Sequence, residues 1–137
     1  MAAVLILDDD LGFVFWLGQA LAADFKPIPA PSVQDARKLL RRLRIPVDVL
    51  IVNPLVPGAA YFTRDLRRKQ GRLRAIAAVR YTEELDPMLQ DLNAARSKPG
   101  ILDHVAMSEW RQVVRQVLAS KTRPRSRRAT ASDGGSA

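Results

Sequence analysis

The sequence predicts an α/β protein with a five-stranded parallel sheet, strand order 2-1-3-4-5, and helices on both faces. Three observations carry the prediction. Short apolar runs rich in branched residues alternate five times with segments of helical spacing. The second run has prolines at alternate positions, which suits a sheet edge. The third and most strand-like run, 47–52, reads as a central strand.

Val4–Leu7 is a short branched apolar run bounded by charge, a buried strand. Residues 11–23 follow as a helix, with Phe13, Trp16, Leu17, Ala20 and Leu21 on one face. In Lys26–Pro31 the prolines at 27, 29 and 31 remove donors from one side only, so that side faces solvent. Ser32 caps a helix running to Leu43, with Val33, Ala36, Leu39, Leu40 and Leu43 along one side and five cations mostly on the other. Val47–Val52 is the third strand, Asn53–Gly58 a loop, and 59–69 a helix. Ala75–Val79 is a small-residue strand, and Thr82 starts a weaker helix. Ile101–Ala106 reads as the fifth strand, with Ser108 capping a last helix over 109–119. Residues 1–120 make one domain. Residues 121–137 carry almost no apolar side chain and read as a disordered basic tail.

Strand order 2-1-3-4-5 is the flavodoxin-like arrangement, in which ligands bind beyond the carboxyl ends of the strands near the switch between strands 1 and 3. Those ends carry Asp8, Asp9 and Asp10, then Asn53, Arg80 and Met107.

Composition excludes much chemistry. The 137 residues contain no cysteine and one histidine, which removes disulfides, thiolate metal sites and cysteine nucleophiles and leaves little for a Ser-His-Asp triad. No stretch approaches a membrane span, and Ala2–Leu7 is too short for a secretory leader, so a cytoplasmic location is expected. No Gly-rich phosphate loop or nucleophile elbow is present, and an enzyme is not expected. A bound flavin is not expected either, because Asp8-Asp9-Asp10 would repel its phosphate. Of the net charge of +8, half lies on the tail, which holds five basic residues and one acid.

The run Val4-Leu5-Ile6-Leu7-Asp8-Asp9-Asp10, then Val47-Asp48-Val49-Leu50-Ile51-Val52-Asn53, then Pro57-Gly58 resembles a response-regulator receiver domain over about residues 3–119. In that family two carboxylates after strand 1 and an aspartate after strand 3 hold magnesium, and the latter aspartate accepts a phosphoryl group. A Ser/Thr after strand 4 and a Lys after strand 5 bind that group. The resemblance places Asp8 and Asp9 at the acidic pair and Asn53 at the acceptor. A carboxamide is not a competent acceptor, and Asn53 lowers the ligand charge, so bound magnesium and other cofactors are not expected. The switch positions fall on Arg80, His104 and Met107, with Ser108 where the family usually has proline. Thr82, two residues past Arg80, restores the hydroxyl if the alignment shifts. The resemblance is thus to a degenerate, or pseudo-, receiver. Arg80 is read either as a guanidinium reaching Asp8 or Asp9, or as a solvated loop charge.

Leu11, Phe15, Gly18 and Ala22 form a second stripe on the first helix, and no charge lies between Leu11 and Ala23. Receivers dock kinases partly through this helix, so the stripe reads as a surface for a partner: a histidine kinase, a phosphotransfer protein, another regulator, or a second copy as a homodimer. The bland alternative is an alanine-rich helix with one exposed Phe. The expected function is a phosphorylation-independent signalling module. One alternative is a phosphorelay receiver using another carboxylate, with Asp48 and the 8–10 cluster the nearby candidates. Another is a nucleic-acid-associated protein using arginine patches, disfavoured because no recognition motif or stacking set accompanies them. His104 reads as a structural residue on strand 5, and Trp110 as packing.

Overall fold

The computed structural model describes residues 1–78, 87, 90, 95–96 and 104–120. The strands are β1 (Ala3–Leu7), β2 (Lys26–Ala30), β3 (Val49–Val52), β4 (Arg74–Ala77) and β5 (Ala95–Arg96). The helices are α1 (Leu11–Leu21), α2 (Val33–Leu43), α3 (Ala59–Lys69) and α4 (His104–Ala119). All strand pairs are parallel and the order is β2-β1-β3-β4-β5, as the sequence predicts.

Every residue of β1 and β3 is buried, because helices cover both sides of the sheet. The two-residue alternation of a strand sorts their side chains. Ala3, Leu5, Leu7, Leu50 and Val52 join the layer under α2 and α3, with Phe62 and Leu66. Val4, Ile6, Val49 and Ile51 join the layer under α1 and α4, with Leu17, Leu21, Trp110 and Val114. Each fully buried side chain of this size contributes about 1.5–3 kcal/mol. Phe13 joins the two helices of the second layer, its ring 5.9 Å from Trp110 in an edge-on contact and 6.3 Å from Trp16. Helix α1 has no basic residue in its last turn. Helix α4 supplies that charge instead: Arg111 donates to the Ala20 carbonyl at 3.3 Å, and Arg115 pairs with Asp24.

The edge strand is built as its prolines imply. Lys26 donates inward to the Ala2 carbonyl. By the same two-residue period, the nitrogens of residues 27, 29 and 31 face outward, and all three are proline. The free edge therefore offers no donors to another strand. Ser32 caps α2 through the Asp35 N–H at 3.1 Å, and Asp10 caps α1 through Phe13 N at the same distance.

The end of the chain departs from the expectation. The fifth strand is Ala95–Arg96, not 101–106, and α4 begins at His104, five residues before the expected start. Ser108 is therefore an exposed residue inside the helix, not its cap. The reason is periodicity: Met107, Trp110, Val114 and Val117 repeat at helical spacing and pack on one layer, which draws the apolar run after residue 103 into the helix. A two-residue strand of Ala-Arg leaves almost no apolar signal. Strand β3 starts at Val49, two residues late, because Val47 N–H donates to Gln70 Oε1 at 2.6 Å and the Asp48 side chain turns to Ala3 N–H at 2.8 Å. Strand β4 runs 74–77, and Val79 lies outside the described residues. Of the helix expected after Thr82, only Pro87 and Gln90 are described, both helical. The tail, 121–137, lies outside the described residues.

Two outcomes are expected. Replacing Pro27 and Pro29 together by Val restores outward donors, and sedimentation velocity should show more self-association than in the parent chain. Trp110→Ala opens the α1–α4 layer and should cost about 3–5 kcal/mol in denaturant unfolding.

Candidate functional site at the carboxyl ends of the strands

β1 delivers Asp8 to the carboxyl edge of the sheet. Its N–H donates to the Ala30 carbonyl at 3.2 Å, holding the residue in line with the strand, and its side chain is almost fully buried. The neighbouring strand delivers Asn53, whose N–H donates to the Leu7 carbonyl at 2.9 Å. Parallel pairing of Leu7 with Val52 places the next residues, Asp8 and Asn53, side by side.

The two side chains form a hydrogen-bonded pair. Asp8 Oδ1 accepts from Asp10 N–H at 3.0 Å and from Asn53 Nδ2 at 3.4 Å. The other end of the Asn53 carboxamide is engaged as well: Oδ1 accepts from Leu55 N–H at 3.0 Å, closing an Asx turn in the β3–α3 loop. Burial pushes the Asp8 carboxyl above the ordinary aspartate range. The two hydrogen bonds oppose that shift, and the nearby charges of Asp9 and Asp10 add to it. Asn53 thus presents a hydrogen-bond donor to Asp8 where a second carboxylate would add negative charge.

A magnesium ion would have to rearrange this donor set to bind. It needs near-octahedral oxygen ligands at about 2.0–2.1 Å. Here Asp8 Oδ1 already accepts twice, the Asn53 oxygen is turned to its own loop, and Asp9 is exposed. Among the described residues, no group of three His, Cys, Asp or Glu side chains could hold a metal ion.

The other expected positions separate. Arg80 and Thr82 lie outside the described residues, so no contact to Asp8 or Asp9 is drawn for Arg80. His104 is not on a strand: it is the first residue of α4. Met107 lies in the same helix, half-buried on the α1–α4 layer, and not at a strand end. Neither is a switch position on β5. With β5 at Ala95–Arg96, the pair Lys98-Pro99 follows the strand by two residues. The strand therefore ends ten residues earlier than the sequence predicts, and the Lys-Pro dipeptide after it is a turn signal in the sequence. Residues 97–100 lie outside the described residues.

Asp48 lies at the opposite end of β3, where Oδ2 accepts from Ala3 N–H at 2.8 Å and its carbonyl accepts from Arg74 N–H. It is remote from the Asp8–Asn53 pair. On α1, Leu11 is 52% and Phe15 62% exposed, Ala22 is exposed and Gly18 half-buried, with open space where a Gly18 Cβ would point. Leu55, 60% exposed beside Asn53, is an apolar residue at the site that sequence periodicity does not reveal because it lies in a loop.

The raised Asp8 pKa makes stability depend on pH in a defined direction. Between the unfolded value near 3.8 and the higher folded value, the folded chain holds a proton that the unfolded chain has lost. Stability therefore falls as pH rises through that window. Asp8→Asn should raise the unfolding midpoint at pH 7 in EDTA, and its advantage should shrink as pH is lowered toward 4. A constant advantage would show that Asp8 is not the titrating group.

No protein-family model matches the chain, and no curated protein matches it. Solved structures do. A response regulator from Thermotoga maritima is 20% identical, with a TM-score of 0.65 over 88% of this chain and 99% of its own. The Vibrio cholerae chemotaxis protein CheY4 is 17% identical, with a TM-score of 0.65 over 86% of this chain and 99% of its own. The Thermotoga maritima response regulator TrrA, solved with Mg2+-BeF, is 18% identical, with a TM-score of 0.65 over 86% of this chain and all of its own. The parallel sheet, its strand order and this likeness over nearly the whole length of each relative together show that the chain has the fold of the response-regulator receiver domains.

Proposed function

We propose that this domain is an atypical receiver of two-component signalling that works through protein contacts without being phosphorylated. The carrying observation is the Asp8–Asn53 pair. At the acceptor position stands a carboxamide whose nitrogen faces Asp8 and whose oxygen is bonded to Leu55 N–H. An amide oxygen lacks the charge and nucleophilicity with which a carboxylate attacks phosphorus. The pair also supplies internally, as one hydrogen bond, part of the compensation that a cation would give to clustered carboxylates.

What remains of such a domain is its surface. The exposed, uncharged strip of Leu11, Phe15 and Ala22 starts one residue after Asp10, runs the length of α1, and supports a protein partner: a histidine kinase, a phosphotransfer protein or another regulator. Leu55 adds a further exposed apolar side chain on the loop that Asn53 anchors. Among the described residues no helix is long and apolar enough to cross a membrane. Asp48 supports no acceptor role, since it ties β1 to the far end of β3.

The test is intact mass after incubation with magnesium and acetyl phosphate. The parent chain should gain nothing, and Asn53→Asp, which puts a carboxylate beside Asp8, should gain one phosphoryl group. A phosphorylated parent chain would overturn the proposal, and peptide mapping would then identify the carboxylate used.

A further inference from the structure

The face of the sheet opposite α1 carries a feature that the receiver reading does not use. Helices α2 and α3 lie side by side there, and between them runs an open groove of about 320 Å3. Its floor is carbon: Leu40, Ile45 and the ring of Phe62. Its rim is cationic: Arg37 and Arg41, one helical turn apart on α2, and Lys69 at the end of α3. The surrounding segment concentrates the chain's charge, since residues 33–74 hold eleven of the 22 Lys and Arg and three of the 14 Asp and Glu.

We propose that the groove between α2 and α3 is the docking site for an acidic amphipathic helix of a partner protein. Two independent observations point to that chemistry. The first is incomplete burial. Helix α2 has a clearly divided apolar side, yet Ala36 is its only buried residue, while Leu39 and Leu40 are half-covered and Leu43 is 40% exposed. An amphipathic helix normally seats that stripe fully. Leu40 and Ile45 leave uncovered carbon within the groove.

The second is charge. The one acid on the groove wall, Asp65, is already paired with Arg37 at 3.3 Å and Arg68 at 3.0 Å, and Arg37 also lies over the Phe62 ring at 5.4 Å. Among the described residues, Arg41 and Lys69 have no acidic partner. The groove thus offers two unpaired cations flanking an apolar trough. A helix that places Leu at i, i+3, i+4 and i+7 in the trough and carboxylates on its shoulders satisfies both. Nucleic acid satisfies only the cations: it brings no apolar ridge, and its continuous phosphates would run past Asp65.

The groove and the α1 strip lie on opposite faces of the sheet, so this inference stands independently of the proposed function. The test uses the full chain and a fluorescein-labelled helical peptide of Leu, Ala and Glu with leucines at i, i+3, i+4 and i+7 and glutamates alongside, read by anisotropy. Arg41 and Lys69 are exposed, so Arg41→Glu with Lys69→Glu should leave the chain folded, with only a small drop in the unfolding midpoint from the loss of two cations at helix ends. Saturable binding is expected, weakened about tenfold or more by that double variant. Changing the peptide's leucines to alanine should weaken it similarly, and Phe15→Glu should leave it unchanged. Any one of three results overturns the proposal: no saturable peptide binding, peptide binding indifferent to Arg41 and Lys69, or loss of binding with Phe15→Glu. A labelled DNA duplex that binds through the same two cations, with steep salt dependence and no competition from the peptide, overturns it in favour of a nucleic-acid face.

Discussion

β1 is covered on both faces and paired on both sides, so it has no freedom of register. Slipping it by one residue would exchange Leu5 and Leu7 for Val4 and Ile6 between two packed layers of different shape. The same constraint fixes where the strand stops being apolar, and therefore where Asp8 emerges. Asn53 is fixed in turn by the pairing of β1 with β3. The contact between their side chains is a consequence of two hydrophobic registers, and the polar groups have to accept the places the core assigns them.

Given that placement, a carboxylate at the mouth of a buried strand has few ways to be accommodated. Its charge can be matched by a cation, shared with a proton, or met by donors. This chain meets it with donors, from the Asp10 backbone and the Asn53 amide. Donors need no ligand, so the pair is complete in the protein alone. Around this pair stand the helices outside the sheet. Those differ sharply in character: α1 is uncharged from end to end, whereas α2 and α3 carry dense positive charge.

The first two-thirds of the fold was legible because its signals are strong and local. Five consecutive buried residues in β1, the alternating prolines of β2, the Ser32 cap and the 59–69 helix each leave one physical reading. The end of the chain was not. A two-residue strand at Ala95–Arg96 has no periodicity to detect, and the apolar run before Trp110 satisfies a strand template and a helix template equally. A strand over 101–106 would carry His104 and end at Met107, and both residues belong to α4. At the site, the identity of Asn53 was readable, but the direction of its amide was not. That direction depends on Leu55 N–H, a backbone group whose position only the loop's conformation decides.

The residue after Asn53 has a chemical consequence of its own. Asparagine side chains age to aspartate chiefly through a cyclic imide, formed when the next residue's backbone nitrogen attacks the side-chain carbonyl. Here that residue is Pro54, whose nitrogen carries no hydrogen to lose. The Oδ1 bond to Leu55 N–H further holds the carbonyl within its turn. The imide route, which would install a carboxylate next to Asp8, is closed off by the covalent structure. The amide at position 53 therefore outlasts that of an asparagine followed by a residue with a backbone N–H.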